Sequence, residues 1–196
     1  MNPSSATVDP AVLRTWIQRA RKGDIGSYQS IYDSYARKVL NFIYRMVHSP
    51  EEAEDLTQET FVVVYQKLRT LKETDKFEAW FFRIARNFVY QKFRKRAPSA
   101  VSLDASDEDG RLVPEPADGR KNPDEAFQSE ELEKVISEVI DGLTDKYREV
   151  FVLSALQHLS YQEIADIVGR SLPSVKTDIH RARLEVRENV KKYLRV

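Results

Sequence analysis

The sequence contains no cysteine, which excludes a disulfide framework, a thiol nucleophile and a cysteine metal site. Its three histidines, His48, His158 and His180, stand singly and form no ligand cluster. Its six glycines build no phosphate-cradling loop, and no nucleophile is paired with a base in any enzyme signature. No apolar run approaches the roughly 20 residues needed to cross a bilayer. The opening Met1-Asn-Pro-Ser-Ser has neither the basic start nor the apolar core of a secretory signal. These absences predict a cytoplasmic protein that is not an enzyme, inserts in no membrane and holds no metal or cofactor.

A net charge is lacking too, with 31 basic against 31 acidic residues. The balance conceals segregation. Residues 1–96 carry +6, residues 97–131 carry −7, and residues 132–196 carry +1, so the parts face different partners. Residues 97–128 hold Pro98, Pro114, Pro116 and Pro123 with the acidic patch Asp104, Asp107, Glu108 and Asp109, and show no helical or strand period. They read as a flexible linker between folded parts at 1–96 and 129–196.

Nothing alternates apolar and polar for long enough to make a sheet, so both parts read as all-α. Asp9-Pro10 is a cap with proline in the first turn, and Val12, Leu13, Trp16, Ile17 and Ala20 form one face. Gly26-Ser27 opens a second helix, with Tyr28, Ile31, Tyr32, Tyr35, Val39, Ile43, Met46 and Val47 inward. Ser49, Pro50 and Glu52 make a capping box for a third, lined by Leu56, Thr60, Val63, Val64, Leu68 and Leu71. The fourth runs from about Phe77 to Arg96, with Phe77, Trp80, Phe81, Ile84, Ala85 and Phe88 as its core face, and Pro98 stops it. In the second part Leu132, Val135, Ile136, Val139, Ile140 and Leu143 follow a Ser129 cap. Thr144 starts a helix through Leu156, Ser160 with Glu163 is a second capping box, Gly169 ends that short helix, and a last helix starts near Pro173.

Ala165, Gly169 and Val175 have helix-turn-helix spacing. A small residue allows close approach, glycine takes a left-handed turn, and a β-branched residue packs the second helix on the first. That second helix presents Ser174, Lys176, Thr177, Asp178, His180, Arg181 and Arg183. Its N-terminal half suits the major groove, while its arginines suit phosphates. Asp178 stands out, since phosphates repel a carboxylate unless it accepts from a cytosine amino group.

On the third helix Asp55, Gln58, Glu59 and Val62 share a stripe away from the core face. Read alone, such a stripe is a solvated face. It also suits docking of a basic helical partner. The fourth helix carries Arg83, Arg86, Asn87, Tyr90, Gln91 and Arg94 opposite its aromatics. Cations neutralise phosphates, asparagine pairs with a base edge, and aromatic surfaces receive unstacked bases. The polar turn Leu71-Lys-Glu-Thr-Asp-Lys76 supplies a candidate pocket for a flipped base.

Ala53-Glu-Asp-Leu-Thr-Gln-Glu-Thr-Phe61, followed by Phe77-Glu-Ala-Trp-Phe-Phe-Arg-Ile-Ala-Arg-Asn87, resembles region 2 of bacterial extracytoplasmic-function sigma factors, a group of the sigma-70 family. Leu159-Ser-Tyr-Gln-Glu-Ile-Ala165 and Ser174-Val-Lys-Thr-Asp-Ile-His-Arg-Ala-Arg183 resemble their region 4. The resemblance covers nearly all of the chain outside the linker, and two long motifs in the right order make it specific. It implies a subunit that binds core RNA polymerase and directs it to promoter DNA, with contacts to the clamp coiled coil and the flap. Asp55, Gln58, Glu59 and Val62 then match the coiled-coil contact, which replaces the solvated-face reading of that stripe. Lys72, Lys76, Arg83, Arg86, Asn87 and Tyr90 are implied at the −10 element. Ser174, Lys176, Thr177, His180 and Arg181 are implied at the −35 element, with Arg148 and Arg183 on phosphates there.

The resemblance also implies an anti-sigma partner, a linker threading toward the RNA path, and weak promoter melting with strict sequence demands, since the chain has no room for a middle domain. Asp178 and Leu71 depart from the family pattern, the second at a place in the base-pocket turn that is often aromatic. The competing reading is a stand-alone helix-turn-helix regulator, which predicts operator binding without polymerase and indifference to Asp55 and Gln58.

Overall fold

The computed structural model describes residues 8–96 and 126–193, with side chains for 8–96 and 134–193. Among the described residues all regular structure is helical, as expected. The helices fall into two units, and each is taken by itself.

The first unit contains α1 (Pro10–Ala20), α2 (Ile25–Val47), α3 (Pro50–Lys67) and α4 (Phe77–Arg96). Asp9 caps α1 by accepting from the Ala11 N–H at 2.7 Å. The second helix opens at Ile25 rather than Gly26-Ser27, because Asp24 is its cap. One Asp24 oxygen accepts from Gly26 N–H at 3.0 Å, and the other accepts from the Ser27 hydroxyl at 2.8 Å. The Ser27 side-chain bond, followed by its backbone N–H, holds the Asp24 carboxyl below its ordinary pKa. Its folded pKa is therefore the lower one. The contribution to stability is complete above the unfolded value and disappears as pH falls through the folded value. A carboxyl NMR titration is expected to show Asp24 ionising below the unfolded-peptide aspartate; an unshifted curve would remove this cap bond from the account.

Only His48 and Ser49 separate α2 from α3. His48 takes a left-handed conformation, φ 57°, and its N–H donates to Tyr44 O at 2.8 Å. Ser49 Oγ accepts from the Glu52 N–H at 3.4 Å, which is half of the expected capping box; the Glu52 side chain does not return the bond. The Glu52 carboxylate reaches α4, where Lys92 lies at 3.4 Å and Arg96 also pairs with it.

The core of this unit is aromatic. Tyr35, Phe42, Phe77, Phe81 and Phe82 are fully buried, and Tyr35 donates its hydroxyl to Glu78 at 2.6 Å. Burial pushes the Tyr35 phenol pKa up, and the Glu78 charge adds to it. The buried set of α4 is Phe77, Ala79, Phe81, Phe82, Ala85 and Val89. Trp80, Ile84 and Phe88, expected in the core, are half-buried. The face is wider and differently phased because α4 packs on both α2 and α3, and Phe82 meets Phe42 edge to face at 5.6 Å. In α2, Ser27 and Phe42 are buried while Tyr32 is 39% exposed, and in α1 Val12 is 42% exposed; these too correct the expected faces.

The second unit contains α5 (Ala126–Asp141), α6 (Asp145–Phe151), a π-helical turn (Val152–Leu156), α7 (Tyr161–Val168) and α8 (Leu172–Tyr193). The expected Ser129 cap is wrong, since α5 already begins at Ala126. The last three residues assigned to the linker are therefore helical, and the rest of it lies outside the described residues. The helix expected from Thr144 to Leu156 changes to π geometry after Phe151. Val139, Ile140, Leu143, Val150, Leu153, Ile164, Val175 and Ile179 are buried here. The second capping box forms as expected: Ser160 N–H donates to Glu163 Oε2 at 2.9 Å, and Glu163 N–H donates to Ser160 Oγ at 3.3 Å.

Candidate nucleic-acid interface

In the first unit, α3 turns Ala53, Leu56, Thr57, Thr60, Phe61 and Val64 inward. That phase leaves Asp55, Gln58, Glu59 and Val62 exposed on one stripe, with Val62 at 55%. Together with half-buried Val63 and Phe88 they border an open depression of about 490 Å³. An apolar floor with an acid and amide rim suits a partner helix whose apolar residues are flanked by cations.

Phe77, Phe81 and Ala85 anchor the inner side of α4, so Arg83 and Asn87 stand exposed one turn apart. Arg86 is half-buried, its guanidinium 4.2 Å from the centroid of the Tyr90 ring. That cation–π contact pairs the two groups on the helix that carries Asn87. The preceding turn contributes exposed Lys72 and Lys76, next to exposed Thr70 and Arg83 and half-buried Trp80. Lys76 bonds Glu73 at 2.9 Å, which holds its ammonium pKa above the ordinary lysine value and keeps it charged. Leu71, in the same turn, is 6% exposed and belongs to the core.

In the second unit the helix-turn-helix forms as its spacing predicts. Ala165 is 4% exposed, Gly169 has φ 69° and Val175 is fully buried. On α8, Lys176, His180, Arg181 and Arg183 are exposed, while Ser174 and Thr177 are half-buried. Thr177 Oγ1 donates back to Pro173 O at 3.0 Å. The Arg183 guanidinium lies 5.9 Å from the Tyr161 ring centroid on α7.

Two expectations are corrected here. Arg148 does not face solvent. It is 7% exposed, and its guanidinium donates to the carbonyls of Ile140, Asp141 and Leu143 at 3.3, 2.8 and 2.5 Å and to Asp145 at 3.0 Å. A cation on the last carbonyls of α5 ties the α5–α6 corner and is spent there rather than on phosphate. Asp178 is not presented on α8 either. It is 2% exposed, paired with Arg170 at 2.5 Å and Lys146 at 3.2 Å. The carboxylate that seemed to oppose phosphate binding faces inward.

Residues 31–98 match the family pattern of sigma-70 region 2, and residues 133–186 match sigma-70, region 4. The ECF RNA polymerase sigma factor SigW of Bacillus subtilis is 33% identical over 183 residues, spanning 92% of this chain and 97% of SigW. The ECF RNA polymerase sigma-E factor of Escherichia coli is 30% identical over 185 residues, spanning 91% and 94%. Two solved structures share the fold. CnrH, in complex with the cytosolic domain of CnrY, has a TM-score of 0.65 at 21% identity, covering 92% of this chain and 98% of that one. The sigma factor RpoE of Bartonella quintana, in complex with the anti-sigma factor NepR, has a TM-score of 0.62 at 22% identity, covering 84% and 96%. With both regions matched in order and relatives aligned along almost their whole length, the chain belongs to the extracytoplasmic-function group of the sigma-70 family and is a promoter-directing sigma factor.

Proposed function

We propose that this sigma factor docks on core RNA polymerase through Asp55, Gln58, Glu59 and Val62. Arg83, Asn87 and the stacked Arg86–Tyr90 pair meet the −10 element, Lys72 and Lys76 hold its backbone, and a base lifted from the stack lies in the turn before α4. Ser174, Lys176, Thr177, His180 and Arg181 read the −35 element in the major groove, with Arg183 on phosphate. The observation that carries this reading is the phase of α3 and α4. Each turns its core residues inward, and each leaves a short exposed polar stripe of the chemistry that its partner requires. An anti-sigma factor is a further proposed partner, on the strength of RpoE having been solved with NepR.

The test adds the full chain to core polymerase and reads transcripts from a genomic promoter library. Promoter-specific transcripts are expected, and a folded protein that yields none overturns the reading. Within that assay Asn87→Ala is expected to lower discrimination at one −10 position by about 5- to 100-fold, the value of one good base contact. Polymerase affinity should stay unchanged. If Asn87→Ala instead abolished polymerase binding, the assignment of separate tasks to α3 and α4 would be wrong.

A further inference from the structure

The family match begins at residue 31, leaving α1 without an assigned task, yet α1 is tied to the turn before α4 at several points. Arg21, at the end of α1, donates Nε to Leu68 O at 3.1 Å and Nη2 to Leu71 O. The chain returns the bond: Arg69 Nε donates to Arg21 O at 3.0 Å. About two turns earlier on α1, Arg14 pairs with Asp75 at 2.8 Å. One guanidinium thus closes over both ends of the 3-10 turn Leu68–Thr70, and a second cation holds the 3-10 turn Thr74–Lys76.

The anchoring beneath is firm. Leu13, Ile17 and Ala20 bury α1, and Leu68 and Leu71 are themselves buried. Between Leu71 and Phe77 the chain is short, polar and mostly exposed, and its own bonds join only Lys76 to Glu73 among the described contacts. A loop that must receive a base within a few tenths of an ångström needs such support, because small misplacement of a binding group is costly.

We infer that Arg21 is a positioning residue for promoter reading: through the Leu68 and Leu71 carbonyls it sets the shape of the 71–76 turn and so the base that the turn accepts. Arg14 performs the same task at Asp75 with less force, since that pair is exposed and screened. The inference rests on the proposed base-holding role of the turn.

Holoenzyme carrying the full chain is tested on promoters bearing every single-base substitution through the −10 and −35 elements. The turn variant Glu73→Ala/Thr74→Ala, which spares the backbone contact assigned to Lys72, first identifies the −10 position that the turn reads. Arg21→Ala is expected to cut discrimination at that same position by about tenfold, with the other positions and polymerase affinity within about twofold. Arg21→Lys should behave like Arg21→Ala, because an ammonium cannot span two carbonyls as the guanidinium fork does. Should Arg21→Ala not fold, Arg14→Ala carries the test, with a loss of about threefold expected at the same position.

A uniform loss at all promoters, or an unchanged preference at a position that the turn variant alters, overturns the positioning role alone. A turn variant that alters no position overturns the base-holding reading, and the role of Arg21 with it.

Discussion

Replacing Arg170 by alanine is expected to destabilise the second unit by about 3–5 kcal/mol, the cost of breaking a buried ion pair. Two carboxylates share its guanidinium. Asp178, with a side chain 3% exposed, lies 2.5 Å away, and Glu149, 2% exposed, lies 3.9 Å away. Lys146 also meets Asp178, at 3.2 Å, but it is 47% exposed and its attraction is partly screened. Removing Arg170 leaves the buried Asp178 carboxylate with the exposed Lys146 as its remaining cation, and Asp178 lies on α8. The loss should therefore appear in −35 binding as well as in unfolding.

Urea denaturation followed by circular dichroism measures it, since both tryptophans, Trp16 and Trp80, lie in the first unit. Asp178→Asn in the Arg170→Ala background should recover part of the loss by removing the poorly compensated charge. A loss below about 1 kcal/mol would mean that the cluster is screened like a surface pair.

In the first unit the largest expected effect is that of Phe81→Ala, about 3–5 kcal/mol for deleting a fully buried aromatic side chain. Phe81 is the ring on which three helices converge. Tyr35 of α2 lies at 5.7 Å, Phe61 of α3 at 5.1 Å, and Phe77 of its own helix stacks at 5.5 Å. The rings around it are pinned by their own contacts and cannot collapse freely into the space, so a large part of the cavity persists. Phe88→Ala, two turns on and half-buried at the rim of the acid stripe, should cost much less. Tryptophan fluorescence during urea unfolding reports both. Equal losses for the two variants would contradict the division between core and rim.

Local signals in the sequence reached the helices more surely than their inward faces. Ser49-Pro50, Ser160 with Glu163, and Gly169 act through bonds to residues one to four positions away, so their effect can be read from spacing. The face of α4 could not be read that way. A helix wedged against two others buries more than one stripe, and only its neighbours determine that Phe82 and Val89 go inward while Trp80 and Phe88 stay at the edge. Asp24 was missed as a cap because Gly26-Ser27 is itself a plausible opening.

The site was legible where exposure follows from helical phase, as for Asp55, Gln58, Glu59, Arg83, Asn87, Lys176 and Arg181. It was not legible where a charge is answered from a distance. The partner of Asp178 sits eight residues away across a turn, and the acceptors of Arg148 are backbone carbonyls that no pattern of side chains announces. Arg21 and Arg14 were invisible for the same reason, since their partners lie 47 to 61 residues further along the chain.

The His48–Ser49 corner limits how this protein can diverge. A left-handed residue followed at once by a helix cap leaves no slack between α2 and α3. One residue inserted within the first turn of α3 would turn the helix beyond it by about 100° about its axis, as 3.6 residues per turn requires, carrying Phe61 and Val64 to exposed positions and Asp55 and Glu59 to buried ones. Lineages descended from such a chain can exchange side chains on the stripe, but not change the length of the corner. Insertions and deletions are admissible only where a loop separates the elements.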